Sequence, residues 1–185
     1  MSLWGNDIKP KNLTDEEKKE VYATAQGWVR EAGSILSGNG NPNADPEVLV
    51  AIGGLATNMG SANITEIEFV TTSIGAAAGG NIDVRVRFNE RVDITGTPQV
   101  TVTNDQTGSG TDATFTADYN SGTGTNEIVF RATYGAADGG IAENDVLSIG
   151  TNAVALNSGS IKDAGTATNS TITNAAQAGT LTVAA

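Results

Sequence analysis

The stretch IDVRVRF, residues 82–88, alternates apolar and charged side chains without a break. Successive side chains of a β-strand point to opposite faces, so the apolar ones share one face and the charged ones share the other. This pattern is typical of an antiparallel sheet with one face in a core and one face in water. The predicted inward positions are Ile82, Val84, Val86 and Phe88.

The same alternation recurs in residues 111–120 and 127–134. Segments rich in glycine, asparagine, serine and threonine separate these strands and supply turns. Short strands at this spacing predict an all-β sandwich over residues 61–185. Weaker strand patterns lie at residues 64–71, 99–104, 145–149, 152–156 and 180–183. The phenylalanines fall on inward positions, so we expect them in the core: Phe69, Phe88, Phe115 and Phe130.

The composition narrows the chemistry that the chain can carry out. Its 185 residues include no histidine and no cysteine. The commonest general base, the Ser-His and Cys-His nucleophile pairs and zinc-cysteine sites are therefore missing. We expect a protein that is not an enzyme; a hydrolase built on carboxylates is the remaining catalytic alternative, and no acid pair stands out for it. The formal net charge of −11 also argues against binding to a nucleic acid backbone.

Residues 1–60 differ in character from the rest and hold both tryptophans, Trp4 and Trp28. Residues 21–29 and the apolar run at 47–52 predict a two-stranded ribbon that follows an extended arm. Such a ribbon is not stable alone, so we expect it to order on a partner surface. The sequence therefore predicts an N-terminal anchoring arm and ribbon in front of the sandwich.

The arm is expected to contain one short helix. Thr14 is followed three residues later by Glu17, with acidic residues between them. This spacing predicts a capping box, in which each side chain accepts a hydrogen bond from the other residue's backbone N–H.

Oppositely charged side chains share the outward faces of two predicted strands. Glu66 and Glu68 lie on one of them, and Arg85 and Arg87 lie on the other. If the strands pair, these residues form cross-strand ion pairs, each of which contributes only ~0.2–1 kcal/mol. We therefore interpret the acids as part of a solvated sheet face and not as a catalytic pair.

Three stretches in the C-terminal region carry a family resemblance. They read FNERVDITGTPQVTV at residues 88–102, ADYNSGTGTNEIVF at residues 117–130 and ALNSGSIKDAG at residues 155–165. In this order they resemble the repeat signature of bacterial immunoglobulin-like domains from large surface adhesins. The resemblance covers residues 64–184 and implies an immunoglobulin-like β-sandwich.

The N-terminal region carries a second resemblance. The stretches MSLWGN at residues 1–6, KNLTDEEKK at residues 11–19 and GWV at residues 27–29 resemble the openings of virion structural proteins in T4-like phages of marine cyanobacteria. The first residues contain no apolar signal-peptide region, and no apolar run is long enough to span a membrane. We therefore expect a protein that is assembled in the host cytoplasm and located in the virion, with no membrane partner.

Together the two resemblances imply a capsid decoration protein. Its partner would be the major capsid protein or another virion protein, with a homo-oligomeric array on the particle and contact with the host cell surface as a further expectation. A tail or baseplate position and a carbohydrate-binding adhesin module are the alternatives. The residues expected to bind the partner are Trp4, Tyr22, Trp28, Val48, Val50 and Ile52.

No cofactor is expected, and calcium is the metal that this chain could best bind, because it offers only hard oxygen ligands. Asn and Asp residues alternate through positions 39–47 as in a calcium loop, but Ala44 replaces the glycine of the sharp turn and Val50 replaces the final glutamate. A second acidic turn offers the candidate ligands Asp138, Glu143 and Asp145.

Overall fold

The computed structural model describes residues 9–10, 12–36, 38, 40–76, 79–105, 114–135, 140–177 and 179–184. Strands dominate these residues and the two helices are short, so the fold is all-β and sandwich-like, as predicted. Among the described residues, no helix has the length and apolar character needed to cross a membrane.

The N-terminal unit, residues 9–60, contains more structure than a ribbon. Its elements are α1 (Asp15–Lys19), β1 (Val21–Thr24), β2 (Gly27–Arg30), β3 (Glu47–Ala51) and α2 (Leu55–Met59). β2 pairs with both β1 and β3 in antiparallel fashion, which gives three strands where the sequence predicted two. The helix α2 was not predicted.

One glycine explains why the chain turns inside the segment that was predicted to be a single strand. Gly27 has φ +135°, and a Cβ built on it would lie 2.0 Å from the carbonyl oxygen of Val50. Only glycine permits this backbone conformation together with so close an approach of the neighbouring strand. β1 and β2 therefore form a hairpin around Ala25 and Gln26, and β3 packs tightly against it.

The predicted capping box is confirmed at the start of α1. The backbone N–H of Glu17 donates to Oγ1 of Thr14 at 3.2 Å, and the backbone N–H of Thr14 donates to Oε2 of Glu17 at 2.8 Å. The two bonds satisfy donors that the helix itself leaves without partners.

The sandwich is built around one long strand, β6, and its remaining strands are shorter. They are β4 (Ile64–Phe69), β5 (Ile74–Gly75), β6 (Gly80–Thr95), β7 (Gln99–Asn104), β8 (Thr114–Ser121), β9 (Thr125–Tyr134), β10 (Val146–Ser148), β11 (Val154–Ala155), β12 (Ser160–Asp163) and β13 (Leu181–Ala184). The first part of β6 pairs with β4 and β9, and its last part pairs with β12. From β9 the order continues through β8, β7, β10, β13 and β5, and β11 pairs with β7.

The inward positions of the sandwich are as predicted. The four apolar residues of the stretch 82–88 are at most 1% exposed. Phe115 and Phe130 are also buried, and Phe69 is partly buried against the same core. Some predicted strands are shorter in the structure: the one at residues 152–156 is reduced to β11, and the predicted residues 111–113 before β8 lie outside the described part of the chain.

A separate, smaller core holds the N-terminal unit together. It consists of Val21, Ala23, Trp28 and Leu55, with half-buried apolar residues around them. β1 also pairs in parallel with β6 at Ala23 and Glu90, so the N-terminal unit is attached to one end of the sandwich.

Candidate functional site

Two of the aromatic residues predicted to bind a partner are buried within the chain itself. Trp28 is 1% exposed and Tyr22 is 4% exposed. The indole of Trp28 lies in the small core, and the guanidinium of Arg91 lies 5.7 Å from the ring centre of Tyr22. In this conformation both rings are packed within the chain, so their part in binding a partner stays a prediction.

The three aliphatic residues predicted to bind a partner, on β3 and directly after it, are more exposed than these two rings. Val48 is 46% exposed, whereas Val50 and Ile52 are half-buried against the small core. β3 is also the last strand of its sheet, since β2 is its partner on one side and the strand order ends there. The remaining predicted residue, Trp4, lies outside the described part of the chain.

Two exposed apolar residues in the connection between β2 and β3 were not predicted from the sequence. Ile35 is 83% exposed and Leu36 is 52% exposed. They belong to the connection that leaves β2 at Arg30 and returns to β3 at Glu47, and these two end residues face each other across the sheet. We call Ile35, Leu36 and Val48, which follows Glu47 on β3, the apolar margin.

The sandwich exposes fewer large apolar side chains. In the described residues, five such side chains are clearly exposed, and the two outside the apolar margin are Val70 and Leu156. Val70 follows the end of β4, and Leu156 follows β11. They are single residues of the kind that any protein surface shows.

The predicted cross-strand ion pairs on the sandwich are confirmed. In the register of β4 and β6, Glu66 faces Arg87 and Glu68 faces Arg85. Nη1 of Arg87 lies 2.9 Å from Glu66, and Nη2 of Arg85 lies 2.6 Å from Glu68. Arg87 also pairs with Glu127 on the other neighbouring strand.

These pairs are more enclosed than a solvated sheet face, because the N-terminal unit lies over them. The side chain of Arg87 is only 8% exposed, and its Nη2 lies 3.6 Å from Glu31. Nζ of Lys19 lies 2.8 Å from Glu66, so a second ion pair joins the two regions. We call Arg87 with Glu31, Glu66, Glu127, Lys19 and Lys9, whose charge interacts with Arg87, the junction cluster.

Burial in the junction cluster changes the proton affinities of two groups. The pKa of Glu31 is raised to about 7, first by burial and then by the negative charge of Glu127, although Arg87 opposes the change. The pKa of Lys9 is lowered to about 8, again mainly by burial, with Arg87 adding repulsion. The contact between the two regions therefore holds groups that titrate near neutral pH.

In the acidic turn predicted as a calcium site, the carboxylate of Asp145 makes hydrogen bonds within the chain. Asp145 is fully buried, and its Oδ2 accepts hydrogen bonds from Nδ2 of Asn104 at 2.8 Å and from the backbone N–H of Ala142 at 3.0 Å. Glu143 is exposed. Asp138 lies outside the described residues, so its place relative to them stays a prediction.

The other predicted calcium loop, of which residues 40–47 are described, likewise makes contacts of its own. Oδ1 of Asn41 accepts from the backbone N–H of Asn43 at 3.0 Å, and Glu47 lies 3.7 Å from Nη1 of Arg30. Within the described ranges, no three acidic side chains are grouped in a way that could hold a metal ion. The described parts of the two predicted calcium loops, which leave out Asn39 and Asp138, therefore contain no such group, and calcium binding there stays a prediction.

A hollow beside β4 offers little to a sugar ligand. It has a volume of about 460 Å³ and runs between β4 and residues 173–179. Its walls contain Lys19, Glu66 and Glu68 but no aromatic side chain. Stacking on an aromatic ring is therefore not available there.

Comparisons of the chain with protein-family models, with curated proteins and with solved structures find no match. The class of the protein is accordingly given by its own structure: an all-β, sandwich-like chain with a small N-terminal unit and an apolar margin.

Proposed function

We propose that the chain is a structural protein of a phage virion, in which the N-terminal unit attaches to the major capsid protein and an immunoglobulin-like sandwich projects outward as a capsid decoration. The observation that carries this proposal is the apolar margin. Ile35, Leu36 and Val48 expose large apolar surfaces on the smaller region of the molecule. Exposed apolar side chains are favourable to bury against a partner.

The open edge of β3 adds a second means of attachment. Among the described residues β3 has a strand partner on one side only, so its other edge can accept a strand from a neighbouring protein by main-chain hydrogen bonds. The exposed side of Val48 lies on this strand, so the same partner would cover both features. The anchor is thus built from a strand edge and aliphatic side chains, and not from the tryptophan and tyrosine that the sequence suggested.

The charge distribution supports an outward position for the sandwich. Residues 61–185 hold 5 basic and 13 acidic side chains, a net charge of −8, whereas residues 1–60 hold 5 basic and 8 acidic side chains, a net charge of −3. An acidic domain stays solvated and repels its neighbours at close range. The less charged N-terminal unit is the better suited region for a contact with another protein.

The test is cosedimentation of the purified full-length chain with undecorated heads of a T4-like cyanophage. We expect the wild type to pellet with the heads and the double variant Ile35→Asp, Leu36→Asp to remain in the supernatant. The matched control is Val70→Asp, Leu156→Asp, which adds the same charge at exposed apolar positions of the sandwich and should pellet like the wild type.

Two results would contradict the proposal. If both double variants bind like the wild type, the apolar margin is not the attachment surface. If the wild type ignores heads but pellets with host cells, the adhesin alternative is correct. Deleting residues 1–60 is a poorer experiment, because the junction cluster would lose Glu31 and Lys19 and expose the buried Arg87.

A further inference from the structure

The strand β4 has one edge that faces away from its neighbour, and the hollow of about 460 Å³ lies beside that edge. In the described part of the chain, the strand that pairs with β4 is β6, on one side only. Residues 64–68 of β4 form one wall of the hollow, and residues 173–177 and 179 form the opposite wall. We call this space the β4 groove.

The β4 groove is open because the chain that begins to run beside β4 turns away from it. The backbone N–H of Ile64 donates to the carbonyl of Thr171 at 3.4 Å, so the two segments are in contact at this point. Three residues later, Oδ1 of Asn174 accepts from the backbone N–H of Ala153 at 2.9 Å, and its carbonyl accepts from the backbone N–H of Asn152 at 3.1 Å. These bonds hold the second wall to another part of the sandwich.

The edge of β4 at the groove carries unpaired backbone groups. The backbone N–H of Val70, directly after β4, donates to the carbonyl of Asp83 at 2.8 Å, so Val70 directs its groups to β6. In an antiparallel pair alternate residues do this, and the residues between them direct their N–H and C=O groups away from the partner. Ile67 and Phe69 are such residues, and within the described ranges their outward groups have no hydrogen-bond partner. An edge of this kind can accept a further strand.

The same edge leaves part of the sandwich core half-covered. Ile64 and Phe69 pack on the core but are only partly buried, whereas Ile67 between them is 6% exposed. The apolar side of an added strand would remove the remaining surface of these two side chains from water, which is favourable.

The first described residues of the chain lie at the mouth of the β4 groove. Lys9 lines a neighbouring hollow together with Thr65 and Glu66, and these two residues of β4 also line the groove. Pro10 is buried, and Nζ of Lys9 donates to the backbone carbonyl of Lys18, so the chain is held at this point. Eight residues precede Lys9, enough to span about 26 Å when extended, whereas the six residues of β4 span about 20 Å.

These eight residues read MSLWGNDI and contain apolar side chains at a spacing that suits a strand. Trp4 and Ile8 are four positions apart, so in an extended segment they share one face, while Leu3 and Asp7 share the other.

We propose that residues 2–8 of the same chain add to the open edge of β4 as a strand, with Trp4 and Ile8 on the half-covered margin of the core. A segment that is tethered at Lys9 docks at a high effective concentration, which favours its own groove over that of a second copy. The added strand would close an edge that is otherwise open to strands of other proteins. The proposal does not depend on the virion role.

The test is hydrogen exchange of individual backbone amides, followed by NMR, in the full-length chain without any partner. We expect the amides of Ile67 and Phe69 to be protected in the wild type, because they donate to the added strand. The double variant Trp4→Ser, Ile8→Ser loses the apolar contacts and should raise both exchange rates at least about tenfold. The amide of Val70, which donates to β6, should stay protected in both proteins.

The matched control is Leu3→Ser, Asp7→Ser, which changes two residues at the same spacing on the opposite face of the segment and should exchange like the wild type. The proposal is overturned if the wild-type amides of Ile67 and Phe69 exchange as fast as exposed ones, or if their protection persists in Trp4→Ser, Ile8→Ser. Equal loss of protection in the control would overturn the placement of Trp4 and Ile8 on the core. Protection that rises with protein concentration, in a chain that sediments as a dimer, would overturn it as well, because the segment of a second copy would then fill the groove.

Discussion

The N-terminal unit and the sandwich are both β-structures, yet their stability has different sources. Among the described residues, the core of the sandwich consists of 24 buried apolar residues, whereas that of the N-terminal unit consists of four, dominated by Trp28. A small core stabilises little on its own. The N-terminal unit therefore depends on its contacts with the sandwich, namely the strand pairing of β1 with β6 and the junction cluster. A region of a protein can thus be ordered and still depend on a neighbouring region for its stability.

The largest effect is expected from a truncation in the sandwich core. Phe130 is fully buried on β9, and its ring meets Tyr119 edge to face with 6.5 Å between ring centres. Phe130→Ala should lower the free energy of unfolding by about 3–5 kcal/mol, because it removes apolar contacts and leaves a cavity. Chemical denaturation measures this loss, and Val70→Ala, at an exposed position, should change the free energy by less than about 0.5 kcal/mol. Equal effects of the two variants would contradict the assignment of the core.

A smaller and more local effect is expected in the N-terminal unit. Trp28→Ala removes the main side chain of its core and should cost this unit about 3 kcal/mol. Hydrogen exchange should show loss of protection in β1, β2 and β3, while the amides of β6 and β9 stay protected. If the sandwich loses its protection to the same degree, the two regions unfold as one unit and the contrast between them is wrong.

The junction cluster determines how strongly the two regions are coupled. Arg87→Met leaves Glu31, Glu66 and Glu127 close together without their shared cation, and should cost about 2–3 kcal/mol. Scanning calorimetry should then resolve an earlier transition of the N-terminal unit. The control Arg131→Met removes an ion pair with Asp83 whose arginine is 40% exposed, and should cost less than about 1 kcal/mol. A single transition in both variants would show that other contacts couple the regions.

The sequence predicted the sandwich better than the N-terminal unit for a physical reason. In residues 82–88 the local sequence is sufficient to predict the strand and its buried face, because successive side chains point to opposite faces. The same positional alternation reaches Glu90, an acidic residue that is 1% exposed and that the apolar pattern alone did not place in the interior.

The N-terminal unit is specified by contacts between distant residues, which no local pattern reveals. Gly27 is required by the approach of Val50, and Arg87 is buried because Glu31 and its neighbours cover an outward face. The exposure of Ile35 and Leu36 likewise depends on how distant parts of the chain pack, which the local sequence does not reveal. Trp28 was assigned to a partner surface because the hairpin of β1 with β2 and the helix α2, which enclose this side chain, were not predicted.

The smallest expected effect is the change in the free energy of unfolding as the junction cluster titrates with pH. Glu31 faces Arg87, Glu127 and Glu20, and burial raises its pKa to about 7 from the usual 4.5. Between these two values the folded chain binds more protons at this site than the unfolded chain, so the free energy of unfolding falls as pH rises from about 4.5 to 7 and levels off above. The expected loss is about 1 kcal/mol, since the side chain is partly exposed and solvent screens it.

Other groups of the junction cluster titrate outside this window. Burial alone would raise the pKa of Glu66, but hydrogen bonds from Lys19 and Arg87 lower it below 4.5, so this group acts only at more acidic pH. Burial lowers the pKa of Lys9 to about 8, so this group makes the chain more stable as pH rises from about 8 to 10.5. A decline between pH 5 and 7 can therefore be assigned to Glu31.

The variant Glu31→Gln should remove this decline. At pH 5 it should be about as stable as the wild type, whose Glu31 is then largely protonated, and near pH 7.5 it should be more stable by about 1 kcal/mol. Urea denaturation at both pH values measures the difference, and Glu143→Gln, at an exposed position, should follow the wild type. Parallel profiles for Glu31→Gln and the wild type would mean that Glu31 is charged and satisfied by Arg87. The N-terminal unit would then be held to the sandwich by a favourable ion pair, and not by a contact that weakens as its acid ionises.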